Sequence, residues 1–461
     1  MKLHRPDFHA LLTDLRHFDA RRAARRALNA AGEGWYIRGD RPSEDRARLL
    51  TYNYTANVVA NLIGGSFFTG LLILMNADDS FIGSMTMIAT AANMLQLFAP
   101  LLLERFERRK KLLVILRLVM QVFNVLVIGL IPLFPAPQQA RLAMVAVSVL
   151  IVNILNAFMA PGFTVWHIQS IPGNVRKPFF SLITMTVGAL VALCNLLASF
   201  LVDAFKAGGL EYWGLLLLRV LAFGLVIFEF FQLSRVQEYP YEKSGEKLSV
   251  RGLLLEPLKN KLYLRTVLVV FLWNVTANIP GSYYTVYLLK DVGVSYTYIM
   301  TVNLINVPIV LCLTPLWSRI LRRLGWFNTL ATAMSLYLVH YVGLAFVSKG
   351  TLALYPVTLI AAFFLAIGIN LSFTGIPYVN IPKQNQTAYI GFYSTAANLA
   401  ALLGVTFGRF FIQFSEKLRV SLFGFEMGNK QLLVLITAAL MLLATVGIFW
   451  IRRGLPGEES E

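Results

Sequence analysis

Charged residues, cysteines and histidines are all scarce in this sequence. Asp, Glu, Lys and Arg make up 14% of the 461 residues, whereas soluble proteins are typically about one quarter charged. The two cysteines, Cys194 and Cys312, stand far apart, and none of the five histidines lies at metal-ligand spacing from them. The sequence therefore predicts neither a disulfide framework nor a metal site.

Motifs of catalysis are also missing. The sequence has no phosphate-binding glycine loop, no nucleophile triad signature and no metal-binding motif. We therefore expect a protein that is not an enzyme and that carries no cofactor.

Long apolar runs dominate what is present. Hydrophobic residues make up 57% of the chain, and its mean hydropathy is +0.64. A helix needs about 20 apolar residues to cross a hydrocarbon core about 30 Å thick. The runs do not alternate as barrel strands would, so they predict membrane-spanning helices. Twelve runs of this kind occur, at residues 53–75, 81–103, 112–134, 142–166, 178–203, 212–234, 263–289, 295–320, 327–348, 352–376, 387–414 and 430–452.

The net charge of +17 could suggest a nucleic-acid partner, but the positions of the charges argue against one. Of the 41 Lys and Arg residues, 31 fall on the side that holds the N-terminus. This bias is the positive-inside signal, which predicts a multi-pass protein of the plasma membrane with both termini in the cytoplasm. Residues 1–50 are polar and basic and contain no cleavable signal peptide. Within them, residues 7–30 predict an amphipathic helix on the inner leaflet.

Four sequence motifs recur in the same order in the two halves of the chain. The second copies follow the first by 217, 216, 215 and 210 residues. Such a series is typical of a duplication with small loop changes. The repeated pairs are NVVAN at 57 and NVTAN at 274, GSFFT at 65 and GSYYT at 281, PLLLERFERR at 100 and PLWSRILRRL at 315, and FTVWHIQSIP at 163 and FTGIPYVNIP at 373.

The duplication defines the expected domains. Six spans per half keep the two copies in the same orientation, which implies a pseudo-twofold axis along the membrane normal. The sequence thus predicts an all-α polytopic membrane protein with twelve transmembrane helices as two parallel six-helix repeats. Its expected parts are a basic segment at 1–50, bundles at 51–234 and 263–452, a cytoplasmic loop at 235–262 and a cytoplasmic tail at 453–461.

This organisation resembles the major facilitator superfamily of transporters. The family's signature between spans two and three is roughly Gly-x-x-x-Asp-Arg-x-Gly-Arg-Arg-Lys. The chain has Glu104 in place of the Asp, and it departs from the signature at both glycines, which are Pro100 and Glu107. The positions that match are Arg105, Arg108, Arg109 and Lys110.

The resemblance implies alternating access around a cavity lined by the first, fourth, seventh and tenth spans. It also implies that basic turns at the inner ends of the second and eighth spans take part in gating. The residues expected in this role are Glu104, Arg105, Arg108, Arg109, Arg319, Arg322 and Arg323. The Gly-Pro-rich stretch that the family's exporters carry in span five is absent from this chain.

Polar residues within the spans supply the candidate substrate contacts. Asn57 and Asn61 share one helix face, as do Asn274 and Asn278, and each pair could line a cavity or join helices to one another. Aromatic faces beside amides suit neutral polar organic solutes. The further candidates are Trp273, Tyr283, Tyr284, His167, Tyr378 and Tyr393, and the expected hinges are Pro172, Pro280, Gly281 and Pro382.

The spans expected around the cavity contain no acidic residue at their centres. Glu229 stands in span six, about two turns before Arg235, and we expect it to reach the inner interface. We expect Arg409 to reach the outer one. Without a buried carboxylate, the sequence indicates a facilitator, or coupling through His167 or another ion site.

The sequence thus predicts a monomeric secondary transporter of a small polar organic solute, with the lipid bilayer as its other partner. Two alternatives stay open. One is an exporter of amphiphilic compounds or drugs, and the other is a nontransporting receptor with the same fold.

Overall fold

The computed structural model describes residues 36–37, 39–103, 106, 108–171, 173–238, 257–381, 386–422 and 424–452. Several predictions fall on other residues. The amphipathic segment at 7–30, most of the loop at 235–262 and the tail at 453–461 lie outside the described residues. So do Glu104, Arg105, Pro172 and Pro382.

The described chain is predominantly helical, as the sequence predicts. The helices of the first half are α1 (Arg41–Ile63), α2 (Gly65–Leu74), α3 (Asp79–Asn93), α4 (Ala99–Leu103), α5 (Lys110–Gln121), α6 (Ile128–Leu130), α7 (Gln138–Ser170), α8 (Gly173–Ala207) and α9 (Glu211–Arg235). A π-helix at Val122–Val127 joins α5 to α6, and 3₁₀ turns occupy Met94–Phe98 and Ile131–Leu133.

The second half repeats this architecture. Its helices are α10 (Lys261–Ala277), α11 (Tyr283–Val286), α12 (Tyr296–Leu304), α13 (Asn306–Leu324), α14 (Trp326–Ala345), α15 (Leu354–Gly375), α16 (Gln386–Phe414) and α17 (Asn429–Arg452). A π-helix at Tyr287–Val292 follows α11, and a 3₁₀ turn at Ile376–Tyr378 follows α15. Strands β1 (Arg419–Leu422) and β2 (Phe425–Gly428) pair antiparallel between α16 and α17, where the sequence predicts only a loop.

Ten helices of the described chain are long and apolar enough to cross a membrane. The two remaining predicted spans are helical as well. The run at 263–289 is split into α10 and α11, and the run at 327–348 is α14, whose polar residues include the buried His340. The prediction of an all-α polytopic fold is confirmed.

Helix packing carries the same symmetry as the sequence. Equivalent pairs of helices pack against each other in both halves. In the first half these pairs are α1 with α8, α1 with α9, α3 with α7 and α5 with α9, and their counterparts are α10 with α16, α10 with α17, α13 with α15 and α14 with α17. The duplication in the sequence is therefore also a duplication of the fold.

The described residues fall into two compact units. One contains the first-half helices together with Gly281–Leu304, and the other contains α10 and the helices from α13 onward. The segment Gly281–Leu304 therefore belongs by sequence to the second half, although it packs on the helices of the first.

Two helix breaks occupy equivalent positions of the repeat. Span one is interrupted at Gly64–Gly65, between α1 and α2, and Gly65 has a φ of +50°. Span seven is interrupted after α10, where Gly281, 216 residues later, has a φ of +46°. Glycine adopts such left-handed conformations without the steric cost that a Cβ imposes. The structure therefore interrupts span seven at the predicted Pro280-Gly281. The interruption at Gly65 was not predicted from the sequence.

A cluster of contacts holds Gly281–Leu304 against the first-half helices, and we call it the outer clasp. Asp203, near the end of α8, accepts hydrogen bonds from the backbone N–H of Tyr296 at 3.1 Å and of Thr297 at 2.7 Å, so it caps α12. The hydroxyl of Tyr296 donates to Glu211 Oε1 at 2.8 Å. Lys290 pairs with Asp79 at 3.0 Å.

Two glycines leave room for the tyrosines of this segment. A Cβ added at Gly70 in α2 would overlap the hydroxyl of Tyr296, and one added at Gly83 in α3 would overlap that of Tyr283. Both tyrosines are 1% exposed. The close approach of the segment to α2 and α3 therefore depends on the missing side chains.

We predict that Gly70→Ala and Gly83→Ala each lower the thermal stability of the purified protein, because an overpacked core costs about 1–3 kcal/mol. The matched control is Gly188→Ala in α8, where an added Cβ meets nothing within 4 Å. There the better helix propensity of alanine is expected to raise stability by up to about 1 kcal/mol. Thermal unfolding followed by tryptophan fluorescence measures all three, and equal shifts in the three variants would contradict the packing argument.

Candidate functional site

A cavity of 520 Å³ lies beside the break in span one, within the unit that contains the first-half helices. Ligand pockets for small molecules usually measure about 300–1,000 Å³. The wall includes both residues of the break, Gly64 and Gly65, and the residue Gly281 of the equivalent break. The two interruptions of the repeat thus border one cavity.

Most of the wall is apolar, and the polar groups are few. Apolar residues such as Phe68, Ile82 and Met85 line most of the cavity. The polar residues of the wall are Thr69, Thr86, Asn124, Asn153, Ser282 and Thr285. Asn124 belongs to the π-helix after α5, and Asn153 lies in α7, whose own Val149 carbonyl accepts a hydrogen bond from Asn153 Nδ2 at 2.8 Å. An apolar surface with a small number of placed donors is the usual composition of an organic ligand site.

The side chain of Ser282 is a polar group of this wall whose hydrogen-bonding capacity is not satisfied within the described residues. Its Oγ is buried and has no hydrogen-bond partner among the described residues. Buried polar atoms are nearly always hydrogen-bonded to protein, water or ligand. Ser282 thus brings to the wall a hydrogen-bonding group that no described residue uses.

The asparagines of the two amide stripes are not among the residues that line this cavity. The Nδ2 atom of each asparagine donates a hydrogen bond to the backbone carbonyl four residues earlier. The N···O distances are 2.8 Å for Asn57, 2.9 Å for Asn61, 2.9 Å for Asn274 and 2.8 Å for Asn278. Asn57 and Asn61 are exposed, and Asn61 Oδ1 also lies 3.4 Å from Asn195 Nδ2 on α8. The donors are therefore mainly used within each helix, and a substrate contact by these side chains stays a prediction.

The predicted aromatic residues fall in several places. Trp273 packs between Tyr337 and Phe373, with ring centroids 6.1 and 6.0 Å away. Tyr284 packs on Tyr287 at 5.8 Å, while Tyr283 is the buried residue beside Gly83. These rings therefore have different packing partners among the described residues.

Two further candidates lie in the second half of the chain. Tyr378 is 65% exposed in the 3₁₀ turn after α15. Tyr393 packs on a buried cluster that includes Tyr263 and Tyr389, within which Tyr263 donates its hydroxyl proton to the Tyr389 carbonyl at 2.7 Å. The cavity wall contains neither candidate.

The basic turns are described only in part. Arg109 Nε donates to the Phe106 carbonyl at 3.0 Å, and Arg108 is exposed. Lys110 joins the turn to the end of α9, since its backbone N–H donates to Glu238 at 2.9 Å and its Nζ to the Ser234 carbonyl at 2.7 Å. In the second half, α13 ends with Arg319, Arg322 and Arg323. Their gating role stays a prediction.

The expectation for Glu229 was wrong. Instead of reaching the inner interface, Glu229 is 1% exposed, and its Oε1 accepts a hydrogen bond from Arg117 Nε at 2.7 Å. Arg117 also lies over the Tyr52 ring at 5.6 Å, and the ring of His167 meets that of Tyr52 at 5.3 Å. Snorkelling does not occur because the arginine one helix away supplies the charge partner inside the bundle. Sequence spacing could not identify this pair, since its members stand 112 residues apart.

Comparison with known proteins agrees with this architecture. The family model described as Major Facilitator Superfamily matches residues 54–405. A bacterial homologue of the iron transporter ferroportin, in an inward-facing state, is similar with a TM-score of 0.67 and 16% identity, over 88% of this chain and 98% of that chain. No curated protein sequence matches the chain.

Two other solved structures are similar at the same level. A D-xylose–proton symporter has a TM-score of 0.64 and 12% identity, over 91% of this chain and 98% of that one. The nucleoside transporter NupG, in a variant form, has a TM-score of 0.63 and 13% identity, over 89% of this chain and 100% of that one. At these identities the likeness shows the fold alone.

The buried pair of Arg117 and Glu229 yields a test of its own. We predict that Glu229→Gln destabilises the protein by about 3–5 kcal/mol, because it leaves a buried arginine without its counter-charge. The double variant Arg117→Met, Glu229→Leu is expected to recover most of this loss, since it removes both charges together. Thermal unfolding of the single and double variants measures the effect. A double variant less stable than Glu229→Gln would contradict this account of the pair.

Proposed function

Because the chain belongs to the Major Facilitator Superfamily, we propose that it is a secondary transporter that moves a small polar organic solute across the plasma membrane by alternating access. We expect it to act as a monomer. The distribution of Lys and Arg indicates that both termini lie in the cytoplasm. The solved structures it resembles include transporters of nucleosides and of D-xylose, which are solutes of this class.

The cavity supports an organic solute. Its polar wall residues, such as Asn124, Asn153 and Ser282, offer amides and hydroxyls, which hydrogen-bond to hydroxyl, carbonyl and acid groups. Its apolar residues offer a dry surface to a carbon skeleton. Such a wall discriminates by shape and by a few hydrogen bonds.

The outer clasp is the observation that carries alternating access. It joins a second-half segment to α3, α8 and α9 through a small number of contacts, chiefly the Asp203 cap, the Tyr296–Glu211 bond and the Lys290–Asp79 pair. Hydrogen bonds to a charged group contribute about 1.5–3 kcal/mol each. A closure held by a few such bonds can open with the few kcal/mol that separate interconverting states.

Opening toward the outside requires these contacts to break. The protein would then expose the cavity beside Ser282 to the outer solution, and re-forming the clasp would seal it again. Binding energy from the solute can bias this equilibrium only if the solute binds the two states differently.

A second candidate function is the export of amphiphilic compounds. The apolar wall residues Phe68, Leu72, Ile82 and Met85 favour it, because an amphiphile would bury its apolar part against them. Both candidates use the same cavity and the same clasp, so transport assays must separate them.

We predict that Asp203→Asn raises the accessibility of the cavity from the outside. Asp203 accepts the two backbone hydrogen bonds of α12 through its two carboxylate oxygens, whereas an amide keeps one uncharged acceptor oxygen and replaces the other with an N–H donor. Ser282→Cys, placed in a background in which Cys194 and Cys312 are alanine, reports this through its labelling rate with a membrane-impermeant maleimide. The matched control is Asp78→Asn, which changes another aspartate cap, that of α3 on Phe81. Equal labelling rates in the Asp203 and Asp78 variants would remove the support for alternating access at this clasp.

Uptake by proteoliposomes tests transport itself. We expect saturable movement of at least one member of a panel of nucleosides, sugars and organic acids, at a rate well above that of empty liposomes. Efflux confined to cationic dyes and detergents would favour the exporter. Binding without movement of any member would favour a receptor and contradict the proposal.

A further inference from the structure

A buried arginine lies behind the wall of the cavity. Arg219, in α9, is 4% exposed. Its Nη1 donates to the carbonyls of Asn124 at 2.8 Å and Val125 at 3.4 Å, and its Nη2 donates to the Ile63 carbonyl at 3.3 Å. Asn124 and Ile63 both line the cavity. The guanidinium is thus one residue layer away from the empty space.

This charge has no acidic partner in the described part of the chain. The ion pairs found there involve Arg46, Arg48, Arg117, Lys206 and Lys290, but not Arg219. The residues that line the cavity also include no aspartate or glutamate. Backbone carbonyls satisfy the hydrogen-bond donors of Arg219, but they do not neutralise a full positive charge.

The helix ends at the break do not cancel the charge either. The carboxyl end of α1, which Arg219 contacts at Ile63, carries about half a negative charge, and the amino end of α2 at Gly65 carries about half a positive one. These two contributions offset each other at neighbouring residues. The arginine therefore gives this wall a net charge of about +1. An unpaired charge is energetically unfavourable there, because the protein interior is less polarizable than water.

We propose that the cavity binds a small organic anion, a carboxylate or a phosphate ester, as its solute. The proposal rests on the proposed function, because it names the chemical class for the same cavity. The acid group takes hydrogen bonds from the amides of Asn124 and Asn153 and from the Ser282 hydroxyl. Arg219 does not touch the solute; it positions the Asn124 carbonyl and attracts the negative charge through the wall.

The wall of the cavity offers both hydrogen bonds and apolar contacts to this anion. The hydroxyl of Ser282, buried and without a partner among the described residues, gains an acceptor when the acid binds. Bonds from neutral donors to a charged acceptor are stronger than neutral ones. The apolar residues opposite, such as Phe68 and Met85, then receive the carbon skeleton of the solute.

The test compares anions with neutral molecules of the same shape. Ligand-induced thermal stabilisation of the purified full-length protein is titrated with D-glucuronate against D-glucose and with benzoate against benzamide. We expect at least one anion to bind ten times or more tightly than its neutral counterpart. Equal affinities within both pairs, or stabilisation by neither anion, would overturn the inference. Uptake of neutral solutes by proteoliposomes would then still leave the transport proposal standing.

Substitutions at two asparagines that make the same kind of hydrogen bond test whether the anion binds in this cavity. Asn153→Asp places a negative charge on the wall with little change of shape, and it is expected to lower the affinity for the bound anion at least tenfold. Asn328→Asp is the control, because Asn328 near the start of α14 also donates to the carbonyl four residues earlier, that of Leu324 at the end of α13, at 2.6 Å. Asn328 is not among the residues that line this cavity. Equal losses in the two variants would contradict the proposed site.

The role of Arg219 is tested by one substitution that removes its charge and one that keeps it. Arg219→Gln is expected to remove the preference for the anion within each pair, whereas Arg219→Lys is expected to keep part of it. If Arg219→Gln does not fold, the comparison of the two asparagine variants decides alone. A folded Arg219→Gln protein with an unchanged preference would show that the arginine is structural and would overturn its role here.

Discussion

A helix that is interrupted inside a membrane must find new partners for the backbone groups that it frees. In hydrocarbon there is no water to satisfy them, and each unsatisfied group costs several kcal/mol. Span one meets this constraint at Gly64–Gly65, where Arg219 supplies two of its nitrogens to the carbonyls of Ile63, Asn124 and Val125. One buried guanidinium thus bonds both to the end of α1 at the interruption and to the π-helix after α5, and residues of both elements line the cavity. Gly129 makes room for it, since a Cβ there would come within 2.7 Å of Arg219 Cδ.

The sequence predicted the large features of this fold because they follow from composition and periodicity. Apolar runs of sufficient length can only be helices in a bilayer, and four ordered repeats require two similar halves. The break in span seven was also predictable, because Pro280-Gly281 interrupts a helix for a local reason. The break in span one was not identified, although the repeat carried the information. Gly65 aligns with Gly281, so the disruption assigned to one copy could have been transferred to the other.

Features that depend on long-range packing were beyond the reach of the sequence. Glu229 seemed close enough to the inner interface to reach water, but α5 brings Arg117 to within 2.7 Å of it. The amide stripes of Asn57 and Asn274 pointed to a polar surface, yet an asparagine can bond to its own helix as readily as to a ligand. Asn124 and Asn153 line the cavity although neither was predicted from the sequence as a candidate. Their position in the wall arises from the packing of α7 and of the π-helix after α5 beside the break, which no local pattern records.

The outer clasp combines two kinds of electrostatic contact that respond differently to dissolved ions. Lys290 and Asp79 have side chains 46% and 21% exposed, so ions in the medium screen their attraction over a Debye length of about 8 Å at physiological ionic strength. The bonds from Asp203 to the backbone of α12 are short and directional, and screening affects them less. In the proposed transport cycle, the salinity of the outer solution therefore acts directly on the closed state. A cell that moved between dilute and salty surroundings would change the balance between the two proposed conformations without any change in the solute.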